Sequence, residues 1–365
     1  MSDHMTPRER WLAALRLQPV DRLPFWPKLG TAYLATHQRQ PERTSLAALH
    51  REIGSDRHEG LPSGLREVRD KTSCEVCASP GQQVTRFCTP HGETALVNRW
   101  DAGSLSWHPV QFPVRTRRDL LLMTEFYADV RWELDPAVLE QAQVEKRRLG
   151  EQAVSHVGVG ESPFMYWIEW LAGVEQAHFL LHDYPDEVEA LLEVLHAGLL
   201  RCTELIAERH PADLVYFVEN TSTSLLSPAQ YRQYCQRHLS EYAALLGAHE
   251  RLVVLHMCGL LRDLLPDLAE LPVAGFEAFT SPPVGNTTLA QGRAVCPSTC
   301  LIGGTNAVLW THPADRILME LEAHLDALPH TRGLVVTSAG VMPPLASPET
   351  LREVCTWVRE YPVRN

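Results

Sequence analysis

The chain has 365 residues, 45% of them hydrophobic and 21% charged, which suits a globular protein with a sizeable core and excludes a disordered or fibrous one. Its formal charge of −12, with no cluster of Lys or Arg, argues against nucleic acid or an anionic membrane surface as a partner and for a small molecule or another protein. No apolar run reaches the ~18 residues a membrane span needs and no secretion signal opens the chain, so a cytoplasmic location is expected. Nine cysteines, an odd number, are then expected as reduced thiols, some of them metal ligands or a nucleophile.

In chain order, TPRERWLAALRLQP predicts a helix. Thr6 stands at the N-cap, Pro7 at the first helical position and Glu9 three residues after the cap, and Trp11, Leu12 and Leu15 share a face. LPFWPK (23–28) predicts a short buried strand and SDRHEG (55–60) a weak one. Residues 68–115 change texture: TSCEVCAS and QVTRFC flank Pro80-Gly81, and GETALVNRW follows. That alternation predicts inserted β-hairpins without a separate domain.

From residue 150 onward, apolar strand-like runs alternate with amphipathic helices. The strands are AVSHVGVG (153–160), DLVYFVEN (213–220), RLVVLHMCG, VAGFEAF, TCLIGGT and GLVVTSAG. Between them lie helical stretches such as PDEVEALLEVLHAGLLRCTELIAERH and SPAQYRQYCQRHLSEYAALL. This alternation implies a parallel sheet, and eight strands imply a closed (β/α)8 TIM barrel spanning 1–365 as one domain. In a barrel the active site lies where strands end and loops begin. That rule selects Trp26, Lys28, His156, Glu219, Asn220, His256, Cys258, Glu277, Thr305, Asn306 and Ser338.

The stretch LVVLHMCGLL (252–261) carries the sharpest chemical signal. Residues two apart on a strand point the same way, so His256 and Cys258 project together, as two ligands of one zinc ion must. Zinc in such a place would keep a second, substrate thiol ionised and nucleophilic. The competing reading is a buried cysteine beside a hydrogen-bonded histidine.

The opening MTPRERWLAALRLQPVDRLPFWP resembles the start of the uroporphyrinogen decarboxylase superfamily. HMCG, SPAQYRQYCQRHL and GVMPPLASPETLREV follow in that family's order, so the resemblance spans nearly the whole chain. It implies a (β/α)8 barrel and one of two activities. The decarboxylase branch grips substrate carboxylates with an arginine-rich segment after the first strand. Here WPKLGTAYLATHQ (26–38) has one lysine and no arginine. The zinc-dependent corrinoid:thiol methyltransferase branch carries the H-x-C pair, which His256 and Cys258 match; by that resemblance they are zinc ligands, one ion per chain.

That branch takes its third ligand, a cysteine, from the last strand's Gly-rich turn, where this chain has Gly340. Glu277, at the end of the next strand and 19 residues after Cys258, is the first substitute; cobalamin-independent methionine synthase, similar in architecture, combines H-x-C with a glutamate at about this spacing. Cys300 is the second, set against its reading as a small core residue.

Glu219 and Asn220 after the fourth strand are expected as catalytic or substrate-orienting groups, and Trp26, Lys28, His156 and Glu161 as residues binding a cofactor or substrate. Tyr166, Trp167 and Trp170 would wall an apolar pocket, cage a methylammonium, or pack as core. Cys74-x2-Cys77 with Cys88-x2-His91 has the ligand types of a small zinc knuckle, but a hairpin at Pro80-Gly81 explains the same residues. No G-x-x-x-x-G-K-[ST], strand-linked G-x-G-x-x-G or G-x-S-x-G occurs.

The expectation is therefore a zinc-dependent methyltransferase moving a methyl group between a methylated corrinoid, on a partner protein, or a small methyl donor, and a zinc-activated thiol. Two alternatives stand beside it: a decarboxylase or related lyase of a carboxylic acid, and a non-catalytic corrinoid- or tetrapyrrole-binding protein.

Overall fold

The computed structural model describes residues 4–38, 43–104 and 106–364. Eight strands make one parallel sheet: β1 (Phe25–Trp26), β2 (Arg57–Gly60), β3 (Ala153–Gly160), β4 (Leu214–Val218), β5 (Leu252–His256), β6 (Gly275–Phe279), β7 (Cys300–Gly304) and β8 (Leu334–Thr337). They are hydrogen-bonded in the order β1-β8-β7-β6-β5-β4-β3-β2. Between β1 and β2, Asp56 replaces the ladder: its N–H donates to Phe25 O (2.8 Å) and its carboxylate accepts from Phe25 N–H (3.1 Å). With helices between the strands, this is the (β/α)8 TIM barrel that the alternation predicts.

Side-chain alternation divides the core in two. On β4, Val215 and Phe217 pack outward against the helices, while Leu214 and Tyr216 point into the barrel with Trp26, Val154, Val254, Cys300, Ile302 and Val335. The helix Pro7–Leu15 closes the lower end of this interior with Trp11, Ala14 and Leu15. Its capping box is formed as the sequence implies: Thr6 Oγ1 accepts from Glu9 N–H (3.2 Å) and Glu9 accepts from Thr6 N–H (2.8 Å). Covering the barrel floor fixes the open end at the strands' C-termini, where the expected site lies.

The inserted region is larger than expected, running from 65 to 134. Its four-stranded antiparallel sheet comprises Ser73–Ser79, Gln82–Thr89, Gly92–Asp101 and Ser106–Gln111, and a further pair joins Leu65–Arg69 to Val130–Leu134. The Pro80-Gly81 hairpin is present, with Gly81 at φ 73°. Cys74 and Cys77 are three apart on one extended strand, so they face opposite sides and cannot share an ion. His91 Nδ1 instead contacts Glu125 (2.8 Å), and no zinc knuckle forms. Among the described residues no helix is long and apolar enough to cross a membrane.

Candidate active site

Above its apolar floor the barrel interior turns polar. Register places His256 beside Glu277 on β6 and beside Val218 on β4, while Tyr216 pairs with Val254 two residues lower and reaches up to the same group with its hydroxyl. His256 Nδ1 and the Tyr216 hydroxyl both bond Glu277 Oε2. Lys28, just past β1, brings Nζ to 3.1 Å from the same oxygen and 3.3 Å from His256 Nδ1. Lys28 is aimed by the turn after β8: its N–H donates to Ser338 Oγ (3.2 Å) and its carbonyl accepts from Met342 N–H (2.8 Å).

Glu277 is 1% exposed, and burial alone would favour its neutral form. Lys28 and His256 outweigh that and hold the carboxyl well below the usual carboxylate range. Burial likewise opposes charge on His256, but Glu277 and the Cys258 thiol raise its pKa to about 9. The adjoining Ala278 sits at φ 60°, where an alanine is strained, and the β6–β7 register shifts there.

Two residues on, Cys258 is exposed and reaches Asn220 Oδ1 (3.4 Å). The loop carrying it lies against the loop after β4, with Leu260 N–H donating to Ser222 Oγ (3.0 Å). A Cβ at Gly259 would lie 2.4 Å from Ser222 Cβ, so only glycine permits this approach. Asn220 itself has φ 48° and donates to Glu169 Oε2 (3.1 Å). His256, Cys258, Asn220 and Glu169 thus form one side of the mouth.

The neighbouring strand β3 carries His156, half-buried and stacked on His58 of β2 at 4.2 Å between ring centroids. Both His58 nitrogens and His156 Nδ1 lack hydrogen-bond partners. Burial, then Lys28, lowers the His156 pKa to about 4; burial, then His156, takes His58 well below 6.5. Both rings are therefore neutral near pH 7. Gly60, Gly158, Gly160 and the end of Val218 are exposed around them, which leaves space for a substrate beside His256.

Glu219 is fully buried, accepting from Ser162 N–H (2.7 Å), Ser162 Oγ (2.5 Å) and Thr221 Oγ1 (3.4 Å). It ties the loop after β3 to the loop after β4 and lies fully buried behind the mouth rather than open to it. Burial pushes its pKa up to about 7. A carboxyl with a raised folded pKa contributes stability that is present below about 4.5 and lost as pH rises through about 7. Glu219→Gln cannot titrate, so denaturation of this variant between those pH values is expected to lose a pH dependence worth on the order of 3 kcal/mol. An unchanged slope would place the raised pKa elsewhere.

Three other expected residues fall differently. Trp26 lies in the barrel interior, edge-on to His58 (4.6 Å) and Trp11 (5.7 Å), and is packing rather than a mouth residue. Cys300 begins β7 next to Gly275 at the start of β6, two residues below the Glu277–Ile302 level. It is fully buried beside the floor helix, and burial raises its thiol to about 12. It is a core residue, as its alternative reading had it, and not a ligand. A Cβ at Gly340 would stand 3.3 Å from the Ala307 Cβ. Glu161 is at the mouth, accepting from Trp170 Nε1 (2.7 Å).

Tyr216, His58 and Glu169 were not singled out from the sequence. Inward alternation on β4 and β2 contains the signal for the first two. Glu169 and Trp170 lie on a π-helical turn, Trp167–Ala172, where no local periodicity marks a functional position.

As a zinc site the donor chemistry fits in part. His256 Nδ1 is held by Glu277, which leaves Nε2 for an ion, and Cys258 is the adjacent open thiol. Among the described residues no group of three His, Cys, Asp or Glu is arranged to hold a metal. Glu277 would complete the set only by releasing His256 or Lys28.

The sequence profile of the family described as uroporphyrinogen decarboxylase (URO-D) matches residues 112–361. No curated protein sequence matches the chain significantly. Among solved structures, a methyltransferase from Methanosarcina mazei is 17% identical, with 98% of this chain and 99% of that chain covered and a TM-score of 0.62. A putative vitamin-B12 independent methionine synthase from Listeria monocytogenes is 12% identical over 63% of this chain and 69% of that one, with a TM-score of 0.37. The first likeness extends the shared fold over the whole chain, and the profile covers well over half of it: the chain belongs to the uroporphyrinogen decarboxylase family.

Proposed function

We propose that this protein is a methyltransferase that moves a methyl group from a methylated corrinoid, or a small methylated molecule, to a thiol activated at a zinc ion held by His256 and Cys258. The observation that carries the reading is an imidazole and a thiol together at one strand end, with the imidazole's second nitrogen clamped by a buried carboxylate. That clamp is the usual support for a metal-binding histidine. The likeness in fold to the Methanosarcina mazei methyltransferase is consistent with it.

A bound zinc ion supplies a way to keep a thiol ionised near neutral pH while leaving it nucleophilic. Glu277 keeps the His256 proton at Nδ1, with Tyr216 donating to the same carboxylate. In the metal-free protein Asn220 accepts from the Cys258 thiol; a Cys258 that holds zinc would be a thiolate and give up that bond. In this reading the substrate thiolate would form the S–CH3 bond as the bond between the methyl group and its donor breaks, with that electron pair leaving on the donor, in the space beside His156. The lyase reading needs Lys28 to hold a substrate carboxylate, and Lys28 is already paired with Glu277 (3.1 Å).

The test is elemental analysis of protein purified without tag or chelator, beside a His256→Ala/Cys258→Ala double variant. About one zinc per chain is expected in the native protein and none in the variant. A metal-free protein that cannot be reconstituted with zinc would refute the mechanism.

A further inference from the structure

His256 and Cys258 give an ion two ligands, and the residues expected to supply a third are spoken for. Cys300 lies in the core, Gly340 has no side chain, and the Glu277 carboxylate is shared by His256, Lys28 and Tyr216. Asn220 stands closer to the thiol than any of them. Its N–H and that of Glu219 both donate to His256 O (2.9 and 3.0 Å). Two residues past Cys258, Leu260 N–H donates to Ser222 Oγ (3.0 Å), so the loops after β4 and β5 are clasped on both sides of the sulfur.

The Asn220 side chain is also oriented. Its Nδ2 donates to Glu169 Oε2 (3.1 Å), which turns Oδ1 toward Cys258 Sγ (3.4 Å). Glu169 is itself bonded to the Glu161 carboxyl, and Trp170 Nε1 anchors Glu161 (2.7 Å). The backbone of Asn220, at φ 48°, is in the left-handed region, which asparagine tolerates better than most side chains.

The geometry points to Asn220 Oδ1 as the third ligand of the ion that His256 Nε2 and Cys258 Sγ hold. The assignment rests on the zinc reading above. Tetrahedral zinc, with bonds of about 2.3 Å to sulfur and about 2.1 Å to oxygen, sets two such atoms about 3.6 Å apart. Sγ and Oδ1 already stand 3.4 Å apart, and the same thiol is bonded to the His256 ring. Charge argues the same way. A ligating cysteine is a thiolate, so loading the site removes the S–H donor and leaves two acceptors face to face. A cation between them replaces that repulsion with two bonds. Glu169 behind Nδ2 then supports the amide as Glu277 supports the imidazole, each a carboxyl bonded to the far side of a neutral ligand.

This set contains one thiolate, so the divalent centre keeps one positive charge, whereas two cysteines would leave it neutral. A substrate thiolate in the open fourth position cancels that charge, and the site therefore favours an ionised thiol.

The test is zinc affinity of the full chain by chelator competition, together with X-ray absorption of the zinc form and optical spectra of the cobalt form. One sulfur, with nitrogen and oxygen for the rest, is expected in the native protein. Asn220→Gly removes the amide at a backbone angle that suits glycine, and is expected to lose more than the roughly 10–100-fold in affinity that an outer partner costs. Glu169→Gln, as such an outer partner, is expected to stay within that range with the sulfur count unchanged. Asn220→Cys is expected to add a second sulfur and to about double the sulfur-to-cobalt absorption; it decides alone should the glycine variant fail to fold. Zinc held as tightly by Asn220→Gly as by the native protein, a second sulfur in the native spectrum, or a single sulfur in Asn220→Cys would overturn this assignment and leave the function above standing. A native protein that binds no zinc would overturn both.

Discussion

Asp56→Asn is expected to destabilise the protein by on the order of 3–5 kcal/mol, among the largest single effects in this barrel. Asp56 is fully buried where the β1–β2 ladder is missing, and its carboxylate accepts from Arg10 Nη1 (2.5 Å), from Arg22 Nη1 and Nη2 (2.7 and 3.0 Å), and from Phe25 N–H (3.1 Å). Asparagine keeps the volume but removes the charge that compensates two buried guanidinium groups. Such groups lose far more when a partner is removed than exposed ones do. The exposed pair Arg8–Glu151 (3.0 Å) is the control: Glu151→Gln is expected to cost at most about 1 kcal/mol. Urea denaturation of both variants decides the matter. Equal, small losses would mean that the seam is held by its backbone bonds and apolar neighbours instead.

Glu277→Gln is expected to act on stability and on the metal together. In chelator-treated protein it removes the one carboxylate shared by Lys28, His256 and Tyr216, at a cost of roughly 3 kcal/mol. Removing both charges at once, as Lys28→Met/Glu277→Leu, is expected to recover much of that loss, because no unpaired lysine then remains in the barrel. Zinc binding separates two roles for this residue. A carboxylate that orients His256 costs about 10–100-fold in metal affinity when neutralised. A direct ligand would cost far more and leave no stoichiometric zinc. A single variant as stable as the native protein would show that Lys28 and His256 find other partners.

Much of the architecture is written in local sequence pattern. AVSHVGVG is β3 residue for residue, whereas the run RLVVLHMCG keeps strand form only over Leu252–His256 and leaves Cys258 on the loop that follows. Thr6, Pro7 and Glu9 start the floor helix because capping is a local matter of which side chain reaches the first free N–H groups. The same locality explains the Pro80-Gly81 hairpin. The strand pair Leu65–Arg69 with Val130–Leu134 was missed, because its two halves lie about 60 residues apart and neither alternates strongly.

By itself the sequence determined the period-two pattern that turns His256 and Glu277 inward, the floor that makes the opposite end the mouth, and the glycine that lets the Cys258 loop close on Ser222. Only the tertiary structure decided which inward residues meet. Inter-strand register pairs His256 with Glu277 and sets Cys300 two residues too low, and register depends on barrel closure rather than on spacing along the chain. The same holds for Glu161, whose carboxyl meets Glu169 and Trp170, and for an apolar cavity nearby. Charge compensation is a property of neighbours in space, and those neighbours come from an inserted strand pair, a π-helical turn and an outer helix that no local pattern connects.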